Sequence, residues 1–166
     1  MPDIKIRKAE NGDIEQIVAI WRKDLIEWHN KLPTTKTIEK YWRFVDNADK
    51  LFGEHLKQTL NSKKFTFLVA TKNDEVVGYL KAEIRQRWKA FVNARELYIS
   101  DVAVKEKCRG RGVGSALMKE LENRFRKSGI KFMTLKYDVE NTQTRKFYEK
   151  HGFEEEHLRM VKELKP

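Results

Sequence analysis

A single cysteine, Cys108, is all that this chain of 166 residues contains. It cannot close an internal disulfide, which excludes the disulfide-stapled secreted class and suits a reducing cytoplasm. No apolar run approaches the ~20 residues needed to cross a bilayer, and the opening Met1-Pro-Asp-Ile-Lys-Ile6 lacks the features of a signal peptide. A cytoplasmic protein with no membrane partner is the expectation. Internal repeats, linkers and low-complexity stretches are also missing, so 1–166 reads as one domain, long enough to bury ~70% of its unfolded surface. The four histidines, His29, His55, His151 and His157, have no metal-ligand spacing among themselves, and no metal is expected.

Charge is what the chain has in abundance. Charged residues make up 36% of it, with a net charge of +10. The prevalence of lysine and glutamate is a pattern common among thermophile proteins. The positive balance fits either a solvated lysine-rich surface or attraction of an anionic ligand. Nucleic acid is not expected, because the basic residues are spread along the chain without a basic tail or an RNA-binding signature.

Periodicity marks the elements. Ile4–Lys8 alternates as an edge strand, and Asn11 or Asp13 caps a helix with Ile14, Ile17, Val18, Trp21, Leu25 and Trp28 on one face. Leu32–Thr35 breaks it. A second helical region runs from Ile38 to about Leu60, with a break near Asn47 or Gly53. Phe65–Thr71 and Val76–Ile84 form a hairpin about the turn Lys72–Glu75. Strands follow at Glu96–Val104, Lys131–Lys136 and Met160–Leu164, with helices from Val113 to about Lys127 and from Thr142 to Lys150. Pattern alone supports an α/β domain.

The stretch from Val102 to Leu117 carries the chemistry. A β-rich run ends at Val102-Ala103-Val104, then Gly110, Gly112 and Gly114 alternate, and helical periodicity begins at Val113. The first amides of a helix have no internal partner and lie at its positive end. Glycines let the backbone approach a ligand, and Arg109 and Arg111 add charge. Together these describe a seat for a phosphate or pyrophosphate. It is no P-loop, because no lysine separates Gly114 from Ser115, and G-x-G-x-G is not the dinucleotide fingerprint.

The spacing Arg109-x-x-Gly112-x-Gly114 resembles the Arg/Gln-x-x-Gly-x-Gly/Ala signature of the GCN5-related N-acetyltransferases (GNAT). Downstream, Asn141-Thr-Gln-Thr-Arg-Lys-Phe-Tyr-Glu-Lys-His-Gly-Phe153 is similar to that family's Asn-x-x-Ala-x-x-Phe-Tyr-x-x-x-Gly-Phe segment, with Thr144 in place of alanine. The resemblance is specific from about Tyr98 to Phe153. It implies a mixed central sheet of six to seven strands flanked by helices, and transfer of an acetyl group from acetyl-CoA to a primary amine by direct attack in a ternary complex. It also implies that the loop amides around Arg109, Gly110, Arg111, Gly112, Val113, Gly114 and Ser115 grip the pyrophosphate. The backbone of Val102, Ala103 and Val104 would pair with the pantetheine arm, and Asn141, whose other role is a helix N-cap, would hydrogen-bond it. Tyr148 would protonate the leaving thiolate.

The general base is open between Glu96 and Asp101. Alternation puts Glu96 on the face of Tyr98, Ser100 and Val102, with Asp101 opposite, unless a bulge alters the count, and Glu96 is preferred. Polyamine-acetylating relatives carry a glutamate where this chain has Ser100. Cys108 stands where relatives often carry tyrosine and has no base beside it in sequence, so it is not read as a nucleophile. His151 is expected at the surface. Asp24, Glu27, Asp46 and Asp49 among Trp28, Trp42 and Phe44 suit a small cationic amine as acceptor. The alternatives are a protein N-terminus or lysine, or a non-catalytic acetyl-CoA-binding module. A homodimer is left open.

Overall fold

The computed structural model describes residues 4–29 and 36–164. The elements are β1 (Lys5–Lys8), α1 (Ile14–His29), α2 (Lys36–Tyr41), α3 (Ala48–Thr59), β2 (Phe65–Lys72), β3 (Glu75–Gln86), β4 (Arg95–Val104), α4 (Val113–Phe125), β5 (Met133–Leu135) and α5 (Thr142–Lys150). The helix break expected at Leu32–Thr35 lies outside the described residues. The break in the second helical region falls at 42–47, and Gly53 stays within α3.

The five strands form one mixed sheet in the order β1-β2-β3-β4-β5, antiparallel throughout except for the parallel pair β4–β5. Along β2 both faces are covered, so Phe67-Leu-Val-Ala70 is continuously buried rather than alternating with solvent. Leu68 and Ala70 meet Val113, Leu117, Met118 and Leu121 of α4 on one side. Phe67 and Val69 meet Ile17, Ile20, Leu56 and Leu60 of α1 and α3 on the other. Asn73 and Asp74 both have positive φ in the β2–β3 turn, the conformation that suits a tight hairpin. Asp13 does not simply cap α1. Its carboxylate accepts from the Glu10 amide at 2.8 Å and from Arg7 at 2.6 and 2.8 Å, which pins the corner between β1 and α1.

Two expectations need correction. Among the described residues the sheet has five strands rather than six or seven, and Met160–Leu164 is not one of them. Leu158, Met160 and Leu164 are more than four-fifths exposed, and the segment is tied to α2 by Lys40–Glu163 at 2.8 Å and by Arg159 on the Tyr41 hydroxyl. β-branched and apolar composition makes a strand only where a neighbouring edge is there to pair with. The Lys131–Lys136 strand shortens to Met133–Leu135, the residues that pair with Leu97–Ile99 before the two strands splay.

One irregularity in β4 reorients the whole site. Lys81 pairs with Asp101 and Ala82 with Ile99, leaving Ser100 as an extra residue on β4. A bulge of this kind reverses the in–out alternation beyond it. Before it Leu97 and Ile99 face α4; after it Val102 and Val104 do so, while Ala103 faces α1 and α3. Asp101 therefore shares the face of Glu96 and Tyr98, contrary to simple alternation.

Candidate active site

β4 pairs with β5 only from Leu97 to Ile99. Beyond Ile99 β4 runs on to Val104 paired with β3 on one side and, among the described residues, with no strand on the other. Lys105 N–H donates to Val77 O at 2.8 Å, and antiparallel alternation then turns the main-chain groups of Ala103 and Asp101 toward β3. Those of Val102 and Val104 are left facing the splay. At its root the hydroxyl of Thr134, opposite Tyr98 in register, is buried without a hydrogen-bond partner among the described residues. An open strand edge and an orphaned buried hydroxyl both fit an extended polar ligand lying in the splay.

β4 leads through a 3₁₀ turn at Glu106–Cys108 into the glycine loop. Gly110 and Gly112 have φ of 71° and 77°, left-handed values that a side chain resists. Gly112 is the N-cap of α4, and Ala116 N–H donating to Gly112 O at 2.9 Å is the helix's first bond. The amides of Val113, Gly114 and Ser115 precede it and lack helical partners. A Cβ on Gly114 would stand 3.2 Å from the Phe147 ring, so this glycine lets α5 press onto the first turn of α4. Ser115 Oγ and His151 Nε2 lie 2.9 Å apart, and His151, expected at the surface, is half-buried there.

The Arg109 side chain is not directed at the loop. Its Nε donates to Val104 O at 3.0 Å, one terminal nitrogen to Glu27 at 2.6 Å and the other to Asp24 at 3.1 Å. It clasps α1, and two of the four carboxylates expected to draw a cationic acceptor, Asp24 and Glu27, are occupied by it. Arg111 remains exposed, leaving it and the α4 amides as the loop's positive groups. Cys108 is buried in the core.

On α5, Asn141 accepts from the Thr144 amide at 3.0 Å, the N-cap role. Tyr148 packs against Phe147, Phe153 and Tyr137 with ring centroids at 5.2, 5.6 and 6.4 Å. Its phenol pKa is raised, first by burial and then by the nearby charges of Asp101, Asp24 and Tyr98, so the ring stays protonated. Asp101 accepts a hydrogen bond from the Tyr79 hydroxyl. Burial pushes its pKa up to about 6 against that hydrogen bond; Asp24 raises it further, while Lys81 and the Val102 amide hold it down. Tyr79 is itself raised well above its usual value, by burial and then by Asp101.

Glu96 is placed differently. It lies five residues earlier, roughly 15 Å along the strand, and pairs with Arg87 at 3.8 Å. The neighbouring Tyr98 ring carries the Arg85 guanidinium 3.2 Å from its centroid. Asp101 thus lies close enough to Tyr148 for its charge to raise the phenol's pKa, while Glu96 pairs with Arg87 instead. Sequence reading also missed Lys81, the partner of Asp101 across the ladder. Lys81 Nζ sits 2.7 Å from His55 Nε2 and over the Phe65 and Phe67 rings. Burial lowers its pKa, with Asp101 and Glu83 opposing. Cross-strand spacing from Asp101 could have flagged it only with the bulge known.

Residues 19–153 match the family model described as Acetyltransferase (GNAT) family. An uncharacterized N-acetyltransferase of Methanocaldococcus jannaschii is 34% identical over 155 residues, covering 92% of this chain and 80% of that protein. The L-amino acid N-acetyltransferase of Escherichia coli K12 is 30% identical over 160 residues, covering 93% and 85%. Among solved structures, a predicted acetyltransferase of Clostridium acetobutylicum with acetyl-CoA has a similar fold. It gives a TM-score of 0.74 at 21% identity over 95% of this chain and 96% of that one.

Proposed function

The chain belongs to the acetyltransferase (GNAT) family and is an acetyl-CoA-dependent N-acetyltransferase, and from that premise we propose that it acetylates a small primary amine with Asp101 as general base and Tyr148 as general acid. The observation that carries this reading is Asp101, hydrogen-bonded by Tyr79 on the stretch of β4 beyond its pairing with β5, within electrostatic reach of Tyr148. An amine attacks only when neutral, and a carboxylate with a pKa about 6 is ionised at neutral pH yet basic enough to take the proton. The main-chain groups of Val102 and the Val104 amide hold the pantetheine arm along the splay, the Val104 carbonyl being taken by Arg109, and the amides of Gly112 to Ser115 hold the pyrophosphate. Arg109, Gly110 and Arg111 shape the approach to that seat, while Asn141 and Thr134 offer polar contacts to the arm. Tyr148 gives its phenolic proton to the departing sulfur as the amine is acylated.

For the acceptor we favour the α-amino group of a free amino acid over a polycation. Asp24 and Glu27 are engaged by Arg109, which leaves less carboxylate free to attract a cation. A relative at 30% identity is an L-amino acid N-acetyltransferase. Thiol release from acetyl-CoA should be stimulated by amino acids more than by polyamines, aminoglycosides or peptides. The kcat/KM for the best acceptor should rise with pH through about 6. Asp101→Asn should abolish that limb and lower kcat by ~10²–10⁴-fold. A wild-type pH limb retained in Asp101→Asn removes Asp101 as base; stimulation by peptides alone removes the small-amine reading.

A further inference from the structure

Acetyl transfer leaves much of the chain's positive charge unused, and the fold gathers part of it at the end of the sheet remote from the glycine loop. Three connections meet there. Residues 61–64 lead into β2, with Lys64 O accepting from Ile84 N–H at 2.9 Å. Residues 87–94 form the β3–β4 turn, closed by Arg87 N–H on Ala94 O at 2.7 Å. Residues 126–132 lead into β5, with Phe132 O accepting from Leu97 N–H at 3.0 Å. None of the three contains an aspartate or glutamate; they hold two, two and three basic residues. From the sheet, Glu83 takes Lys64 and Glu96 takes Arg87. Lys63, Lys89, Lys127 and Lys131 are exposed and make no ion pair among the described residues.

Apolar side chains project from the same end. Trp88 is 76% exposed and Val92 98%, with Phe91 and Phe132 about half exposed. The Phe91 ring is already occupied, by the Arg87 guanidinium 4.4 Å from its centroid and by the edge of Trp88 at 6.2 Å. Val92, the most exposed of them, can neither stack on a base nor hydrogen-bond to one. An apolar tip among unpaired lysines is poorly suited to single-stranded nucleic acid, where free aromatic faces bind the bases. It suits the boundary between anionic headgroups and acyl chains, where indole rings settle and lysines meet phosphate.

We propose that this end of the molecule docks on an anionic phospholipid bilayer, with Trp88 and Val92 entering the headgroup region and the four lysines facing lipid phosphate. Such contact requires no spanning segment, and no described helix is long and apolar enough to cross a membrane. It revises the expectation of no membrane partner. The ten residues of β4 set the turn roughly 30 Å from the glycine loop, so a docked molecule keeps its cofactor loop in solution.

Co-sedimentation of the full chain with phosphatidylcholine vesicles, with and without phosphatidylglycerol, tests this. Binding is expected only to the anionic vesicles, weakening severalfold or more as salt rises from ~0.1 to ~1 M. The double substitution Trp88→Ser with Val92→Ser should weaken it about tenfold, with melting temperature and acetyl-CoA turnover unchanged. Lys89→Glu with Lys131→Glu should weaken it at least as much. No partition onto anionic vesicles overturns the proposal, as does partition that the Trp88→Ser/Val92→Ser protein retains in full. Tighter binding to a single-stranded RNA oligonucleotide, lost in the same variant, overturns it in favour of nucleic acid.

Discussion

In the proposed mechanism Asp101 and Tyr148 take different roles although burial shifts both acids in the same direction. The phenol begins near 10 and is pushed further up, so at neutral pH it can only donate. The carboxyl begins near 4 and reaches about 6, so it is ionised and able to accept. Tyr148→Phe keeps the ring packed against Phe147 and Phe153 and removes only the proton. Turnover should fall ~10²-fold while calorimetry finds coenzyme A affinity nearly unchanged; full turnover under conditions where chemistry limits the rate would exclude the role. Asp101 also carries a stability consequence. Its pKa is raised in the folded state, so its favourable contribution is complete below pH ~4 and lost as pH rises through about 6. Ionisation at pH 8 therefore costs stability, and Asp101→Asn, which can still accept from Tyr79, should melt higher than wild type at pH 8. At pH 4 the difference should shrink. Equal melting temperatures at pH 8 would mean that the carboxyl is not destabilised by burial.

Elements decide which of these residues could be read in advance. The glycine loop and the Asn141–Phe153 segment around α5 are legible because each is a local pattern: alternate glycines at the start of an apolar period, and a capping asparagine before a Phe-Tyr pair. The face of Asp101 was not, because one inserted residue, Ser100, reverses alternation beyond it and leaves no compositional trace. The last strand differs because Met160–Leu164 has strand-like composition but pairs with no strand among the described residues. The loop itself makes a sharp test. Gly112 holds φ of 77° at the cap of α4, where a β-branched residue is strongly disfavoured. Gly112→Val should twist the first α4 amides away from the pyrophosphate seat and weaken coenzyme A binding more than tenfold, at least ~1.4 kcal/mol. Unchanged affinity by calorimetry would remove this loop from the binding site.

At the scale of the whole molecule, the family-specific segment occupies the second half of the chain, yet the site depends on the first. Arg109 reaches Glu27 and Asp24 across 82 and 85 residues of sequence. Neither partner is marked by any motif, which is why the guanidinium looked available for phosphate. That clasp bears on the order in which the protein assembles. The antiparallel strands β2, β3 and β4 are hairpin neighbours that can zip from local contacts, and α4 follows β4 directly. The glycine loop between them acquires its third anchor only when α1, made long before it on the ribosome, has docked onto the sheet. Closing so distant a contact is slow relative to local pairing. Cofactor affinity is therefore expected to be gained late in folding, after the β2–β3–β4 hairpins have paired.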